Sequence, residues 1–218
     1  MDEKKKPPYM LQGSPLQLDY FYPHESYCWA EVLKKLNKPN ITAIDVGSCE
    51  GLWSINLADH FDEVHAFEPM PDVLEISKRW LPKNVITHNY ALSNVETSYE
   101  MIYFDHNIGM TMKTGDEFIM NHMKNSPSKT FTAQTRTLDS FNFENVGFIK
   151  IDAEGEDENV LKGAEQTLER CKPLILIDSE NRYDIPNYKW YAMIRNKNYS
   201  TVDEKHYVGA WLYEYNLV

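Results

Sequence analysis

The sequence predicts an α/β domain with a mostly parallel sheet wrapped by helices on both faces, and three observations predict it. Short apolar runs suited to buried parallel strands recur around residues 41–46, 64–67, 148–151 and 174–177. Segments with a helical apolar period separate them, as over residues 52–57 and 156–172, and such alternation builds a parallel sheet. Each run also closes on or beside an acid: Asp45, Glu68, Asp152 and Asp178. Ligands of open sheets sit beyond the carboxyl ends of the strands. The four carboxylates are therefore expected on one rim.

Taken in order, residues 1–15 are charged and then proline-rich (Pro7, Pro8, Pro15), which predicts a flexible tail ahead of a single domain over 16–218. The aromatic patch Tyr20-Phe21-Tyr22-Pro23 reads as an anchor for that arm, or else as a lid. Cys28, Trp29, Val32, Leu33 and Leu36 recur at helical spacing, and Asn37 and Pro39 end the helix. Ile41, Ala43, Ile44 and Val46 form the first strand, Gly47 and Gly51 punctuate a turn, and Leu52 begins a helix. A glycine at that turn lets a ligand approach backbone N–H groups closely.

Val64, Ala66 and Phe67 make the second strand; Pro71 opens the next helix and Pro82 stops it. Residues 85–88 and 99–104 read as further strands. Residues 105–130, rich in Met with a helix expected over 116–123, read as an insert that serves either as a substrate cover or as core filling beneath a loop. Residues 147–152 form another strand, followed by one helix from Glu156 to Lys172 with acids first and bases last, as the helix dipole favours. Residues 174–178 form a central strand. Beyond it a helix is expected from Tyr188 through Arg195, then strands over 199–202 and 207–213.

Composition narrows the partners. A net charge of −11 and a pI near 5.1 oppose a nucleic-acid groove or an anionic membrane surface. Cys28, Cys49 and Cys171 lack metal or disulfide spacing and read as reduced thiols. No apolar stretch approaches the roughly 20 residues of a membrane helix, and the first ten residues lack the apolar core of a signal peptide. A cytoplasmic location is expected.

The turn Gly47-Ser48-Cys49-Glu50-Gly51 lacks the middle glycine of a dinucleotide fingerprint and puts a carboxylate where a pyrophosphate would lie. S-adenosylmethionine carries no phosphate, and its ammonium and sulfonium suit an acidic rim. Glu68 follows Asp45 at about the 20-residue spacing of an acid that takes ribose hydroxyls.

Taken together, several segments resemble the FkbM-type family of S-adenosylmethionine-dependent methyltransferases. They are Ile-Asp-Val-Gly-Ser-Cys-Glu-Gly (44–51), Ala-Phe-Glu-Pro (66–69), Asn-Tyr-Ala-Leu-Ser-Asn (89–94), Thr-Leu-Asp-Ser-Phe (137–141) and the run from Phe148 to Ala164. The resemblance implies the class I, Rossmann-like methyltransferase fold, with seven mostly parallel strands and one reversed strand near the C-terminus. It implies O-methylation of a hydroxyl on a sugar, glycan or small metabolite. Asp45, Gly47 and Gly51 would line the methionine end, Glu68 the ribose and Ala91 the adenine side, with Ser48, Asn89 and Asp152 also among the cofactor-binding residues. Asp152 and Glu154 would face the transferring methyl. Cys49 stands where the family usually has Asn, and Asp178 where it usually has Glu.

Methyl transfer to an alcohol needs alignment and removal of a proton. Glu154 is the expected base and Asp152 the orienting acid; helix-capping is the structural alternative for both. No resident metal is expected, although Asp152, Glu154, Asp178 and Glu180 form an alternative oxygen-ligand set for Mg²⁺ or Ca²⁺. His65 reads as structural, His88 as an edge residue, and His106 and His122 as alternative bases within the insert. Two other functions remain open on sequence: an NAD(P)-linked oxidoreductase and a non-catalytic scaffold with the same fold.

Overall fold

A seven-stranded sheet with a single reversed strand and four flanking helices form the frame, in a computed structural model that describes residues 32–36, 42–104, 107–115, 128–179, 181–194 and 208–216. A helical turn at 32–35 precedes β1 (Thr42–Val46), α1 (Leu52–Leu57), β2 (Glu63–Phe67), α2 (Pro71–Ser77) and β3 (Val85–His88). Then come β4 (Ala91–Leu92), β5 (Ser98–Phe104), β6 (Asn107–Lys113) and β7 (Ser128–Arg136). The chain continues with β8 (Val146–Ile151), α3 (Asp157–Lys162), α4 (Glu165–Cys171), β9 (Leu174–Ile177), β10 (Tyr188–Ile194) and β11 (Val208–Tyr215).

The main sheet has the order β10-β11-β9-β8-β1-β2-β3. β1 pairs in parallel with β2 and β8, β2 with β3, and β8 with β9; β11 runs antiparallel to both β9 and β10. Successive side chains of a strand alternate between faces, and two cores result. Ile44, Val46, Ile149, Ile151, Ile175 and Ile177 pack with Val160, Leu161 and Leu168 of α3 and α4. Ala43, Val64, Phe148, Leu174 and Leu176 pack with Val32 and with Trp53 and Leu57 of α1. Helices thus cover both faces, as the doubly apolar strand sequences require.

Three elements differ from the sequence expectation. Residues 188–194 form β10, an edge strand, where a helix was expected; the apolar spacing of Tyr188, Tyr191 and Ile194 fits a helix, yet strand pairing with β11 claims the backbone. The single helix over 156–172 is two, α3 and α4, broken at Gly163 and Ala164. A Cβ on Gly163 would lie 2.1 Å from the Ser93 carbonyl oxygen, so the break lets the chain dock on the end of β4. Asp139, from the Thr-Leu-Asp-Ser-Phe segment, then caps α4 by accepting from the backbone N–H groups of Gln166 and Thr167 at 3.0 and 2.8 Å.

The third difference is the insert. Its described parts are strands: β5 pairs antiparallel with β6 and β7, and β4 lies parallel to β7, in a second sheet. The N-terminal tail, the aromatic patch at 20–23, the helix expected over 116–123, the strand over 199–202, and Cys28, His106, His122 and Glu180 lie outside the described residues.

Candidate functional site

A cleft opens where β1, β2 and β8 end. The β1–α1 turn forms one side of it. Gly47 (φ +70°) sits against β8 so closely that a Cβ would come within 1.9 Å of the Asp152 carbonyl oxygen. The N–H groups of Gly47 and Ser48 both donate to the Phe67 carbonyl at 3.0 Å, which ties the turn to β2. Cys49 occupies the left-handed region (φ 47°) and lines the cleft. Asn tolerates that region far better than Cys, which accounts physically for the Asn usual in the resembled family. Burial pushes the Cys49 thiol up to about 12, so the thiol stays protonated.

Glu68 follows β2 with its carboxylate buried inside the cleft. Oε2 accepts from the Cys49 N–H at 2.9 Å and Oε1 from the Met70 N–H at 2.8 Å. Burial raises its pKa to about 7 in spite of both bonds. Asn89 does not line the cleft; its side-chain amide donates to the carbonyls of Glu68 and Pro69 at 3.0 Å, holding the loop that carries the acid. Ala91, with Tyr90 and Leu92, forms the wall beside it.

At the end of β8, Asp152 and Glu154 both line the cleft. Glu154 adopts a positive φ of 45°, a conformation that costs a non-glycine residue about 1–2 kcal/mol. Burial, followed by the nearby Asp152 and Asp157 charges, raises its pKa to about 7. Asp157 fastens the loop by accepting from the Ala153 N–H at 2.9 Å. Glu156 accepts from the Ser93 hydroxyl at 3.0 Å and lies 3.8 Å from Lys113, whose ammonium rests 3.7 Å over the Tyr99 ring. Tyr99, Met101, Gly109 and Thr111 of β5 and β6 complete the cleft.

The structure therefore brings Gly47, Glu68, Ala91, Asp152 and Glu154 around one space. It does not bring all four predicted rim acids there. Asp45 lies within β1, fully buried, and its Oδ2 accepts from the Ser54 hydroxyl at 2.6 Å. Burial raises its pKa, against the opposing pull of Lys150 and Ser54. Asp178 follows β9 and its N–H donates to the Ile151 carbonyl, outside the cleft lining. Ser48 is buried behind the turn, and Gly51 packs against Leu81, where a Cβ would lie 2.6 Å from a methyl carbon. Among the described residues, no three His, Cys, Asp or Glu side chains converge as a metal centre would need.

Lys150 was not anticipated. It faces Asp45 in the β1–β8 register and is 3% exposed. Its ammonium lies 3.1 Å from Asp152 Oδ2, 3.4 Å from the Gly47 carbonyl and 3.9 Å from Asp45 Oδ1. Burial alone would lower its pKa; Asp152, Asp45 and Asp178 outweigh burial and hold it above the usual lysine value. The available signal was a lone lysine inside the apolar run Phe-Ile-Lys-Ile, a charge that a buried strand tolerates only with partners.

Residues 45–201 match the family model described as the methyltransferase FkbM domain. No curated protein matches the chain. Among solved structures, an FkbM methyltransferase from Methylobacillus flagellatus KT is similar at 16% identity and a TM-score of 0.52, over 81% of this chain and 44% of that one. The chain thus spans less than half the length of that relative. A candidate methyltransferase from Streptococcus mutans, in complex with SAH, is similar at 12% identity and a TM-score of 0.51, over 90% and 99% of the two chains. An rRNA methylase from Streptococcus thermophilus is similar at 13% identity and a TM-score of 0.49, over 88% and 95%. The fold is that of class I methyltransferases, and with the family model spanning both the glycine turn and the Asp152–Glu154 loop, the chain belongs to the FkbM family of methyltransferases.

Proposed function

We propose that this protein uses S-adenosylmethionine to methylate a hydroxyl group on a sugar, glycan or small metabolite. The observation that carries the reading is the convergence of Glu68, Asp152 and Glu154 on one cleft beside the Gly47 turn. Gly47 lets the turn press against the Asp152 backbone, where any Cβ would clash, and the acids gathered there suit a donor with an ammonium, a sulfonium and a ribose diol. Glu68 would accept from the ribose hydroxyls, with Asp152 at the methionine ammonium and Ala91 along the adenine. The donor supplies an electrophilic methyl group whose leaving group is a neutral thioether.

The remaining chemistry falls to the chain. Tyr99, Met101 and Thr111 form the wall proposed to hold the acceptor against the donor, and alignment of two reactants is worth at most about 7–11 kcal/mol. Glu154 would take the acceptor's proton. With a pKa near 7, its carboxylate is half ionised at neutral pH and is matched to that task. No metal enters this reading, because Lys150 already supplies the cation among Asp45, Asp152 and Asp178.

The test is methyl transfer from labelled S-adenosylmethionine to a panel of sugars and small alcohols. A base must be deprotonated to act, so kcat is expected to climb as pH rises through about 7 and then level off. In Glu154→Gln, S-adenosylhomocysteine affinity should stay unchanged while kcat drops by about 10²–10⁴-fold and that ascending limb vanishes. Full turnover in this variant would remove Glu154 from the chemistry. Absence of any transfer or cofactor binding by the wild-type protein would favour the non-catalytic scaffold.

A further inference from the structure

We propose that Lys150 is the positioning residue of the methionine end, holding the Asp152 carboxylate where it meets the α-ammonium of the bound cofactor. This rests on the S-adenosylmethionine reading above and extends it to a residue outside the cleft lining. An ammonium offers three donors, and those of Lys150 face two strands at once. Its partner in β1, Asp45, is fully buried, whereas the Asp152 side chain is 34% exposed and opens to the cleft. Lys150 thus has one acid sealed in the core and another at the ligand.

The distances support a positioning role. Lys150 donates to Asp152 Oδ2 at 3.1 Å, which fixes the orientation of a carboxylate that lines the cleft. The same ammonium donates to the Gly47 carbonyl at 3.4 Å, on the turn whose backbone abuts the Asp152 carbonyl. One cation therefore sets both the acid and the glycine turn that flank the methionine end. Stability alone gives little reason for this arrangement, since a buried ion pair can often be replaced by apolar side chains without loss. A lysine in the middle of Phe-Ile-Lys-Ile is better explained by what it holds in place.

Calorimetry on the full chain with two probes separates positioning from mere support. S-adenosylhomocysteine carries the amino-acid end; 5′-methylthioadenosine keeps the adenosine and thioether but lacks it. Lys150→Met should weaken S-adenosylhomocysteine by about 10–100-fold, the loss expected for a charge-assisted hydrogen bond, and methylthioadenosine by less than about twofold. Equal weakening of both probes, or no change in either, would overturn the proposal. Should the single variant not fold because Asp45 is left unpaired, Lys150→Met combined with Asp45→Asn removes both buried charges and carries the same comparison. Failure of the wild-type protein to bind S-adenosylhomocysteine would overturn the cofactor reading and this one with it. Wild-type binding with an indifferent Lys150→Met overturns the lysine's role alone.

Discussion

Two glycines with positive φ, one lining the cleft and one just beyond Glu154, separate backbone strain from backbone contact. Gly47 (φ +70°) and Gly155 (φ +95°) both occupy a conformation that side chains resist. At Gly155 an added Cβ would meet nothing within 4 Å, so Gly155→Ala should cost only the conformational term, about 1–2 kcal/mol. At Gly47 the Cβ would drive into the Asp152 carbonyl oxygen at 1.9 Å, a backbone atom that no side-chain rotation can move aside. Neither β1 nor β8 can yield without breaking the β1–β8 ladder. Gly47→Ala should therefore lose about 4 kcal/mol or more, in the range seen only when a defined mechanism such as overpacking operates. Urea denaturation of the two variants beside the wild type measures both. Equal losses would mean that the turn and Asp152 are not in contact.

At the scale of elements, Gly163 shows where sequence patterns mislead. Read as the interior of one helix over 156–172, it predicts that Gly163→Ala stabilises by about 1 kcal/mol through helix propensity. Read as the junction of α3 and α4, 2.1 Å from the Ser93 carbonyl for any Cβ, it predicts a loss of about 1–3 kcal/mol. The observed fold requires the loss, and a thermal melt gives the sign. The parallel strands were legible because Val, Ile and Phe runs buried on both faces leave little alternative. Glu68 was legible as an acid just past a strand end, and Asp152 and Glu154 through the segment that resembles the family, although helix-capping would have explained both acids equally well. β10 was not, since Tyr188, Tyr191 and Ile194 satisfy a helical period and only pairing with β11 decides otherwise. Nor was the burial of Asp45. One residue short of the strand end, it points into the α1 face toward Ser54, and the chain's period of 2 decides this without any change in composition.

Over the whole molecule, charge and fold make opposite demands on ligands of opposite sign. The chain carries a net charge of −11, and the cleft is lined by Glu68, Asp152, Glu154 and Glu156. A polyanion approaching this field is repelled at long range, whereas a cationic donor is drawn in. Any ligand that binds only the folded state stabilises it by RT ln(1 + [L]/Kd), about 2.7 kcal/mol at one hundred times Kd. For a chain of this size each kcal/mol moves Tm by about 2–4 °C. S-adenosylhomocysteine at that excess should therefore raise Tm by about 5–10 °C, and total RNA at physiological salt should leave it unchanged. The two arms answer separate questions: the first whether the acidic cleft takes the nucleoside, the second whether the acceptor can be a nucleic acid. A shift of Tm with RNA that collapses on adding salt would mean that a cationic surface outside the cleft recruits phosphate backbones, and the acceptor would then have to be sought among them.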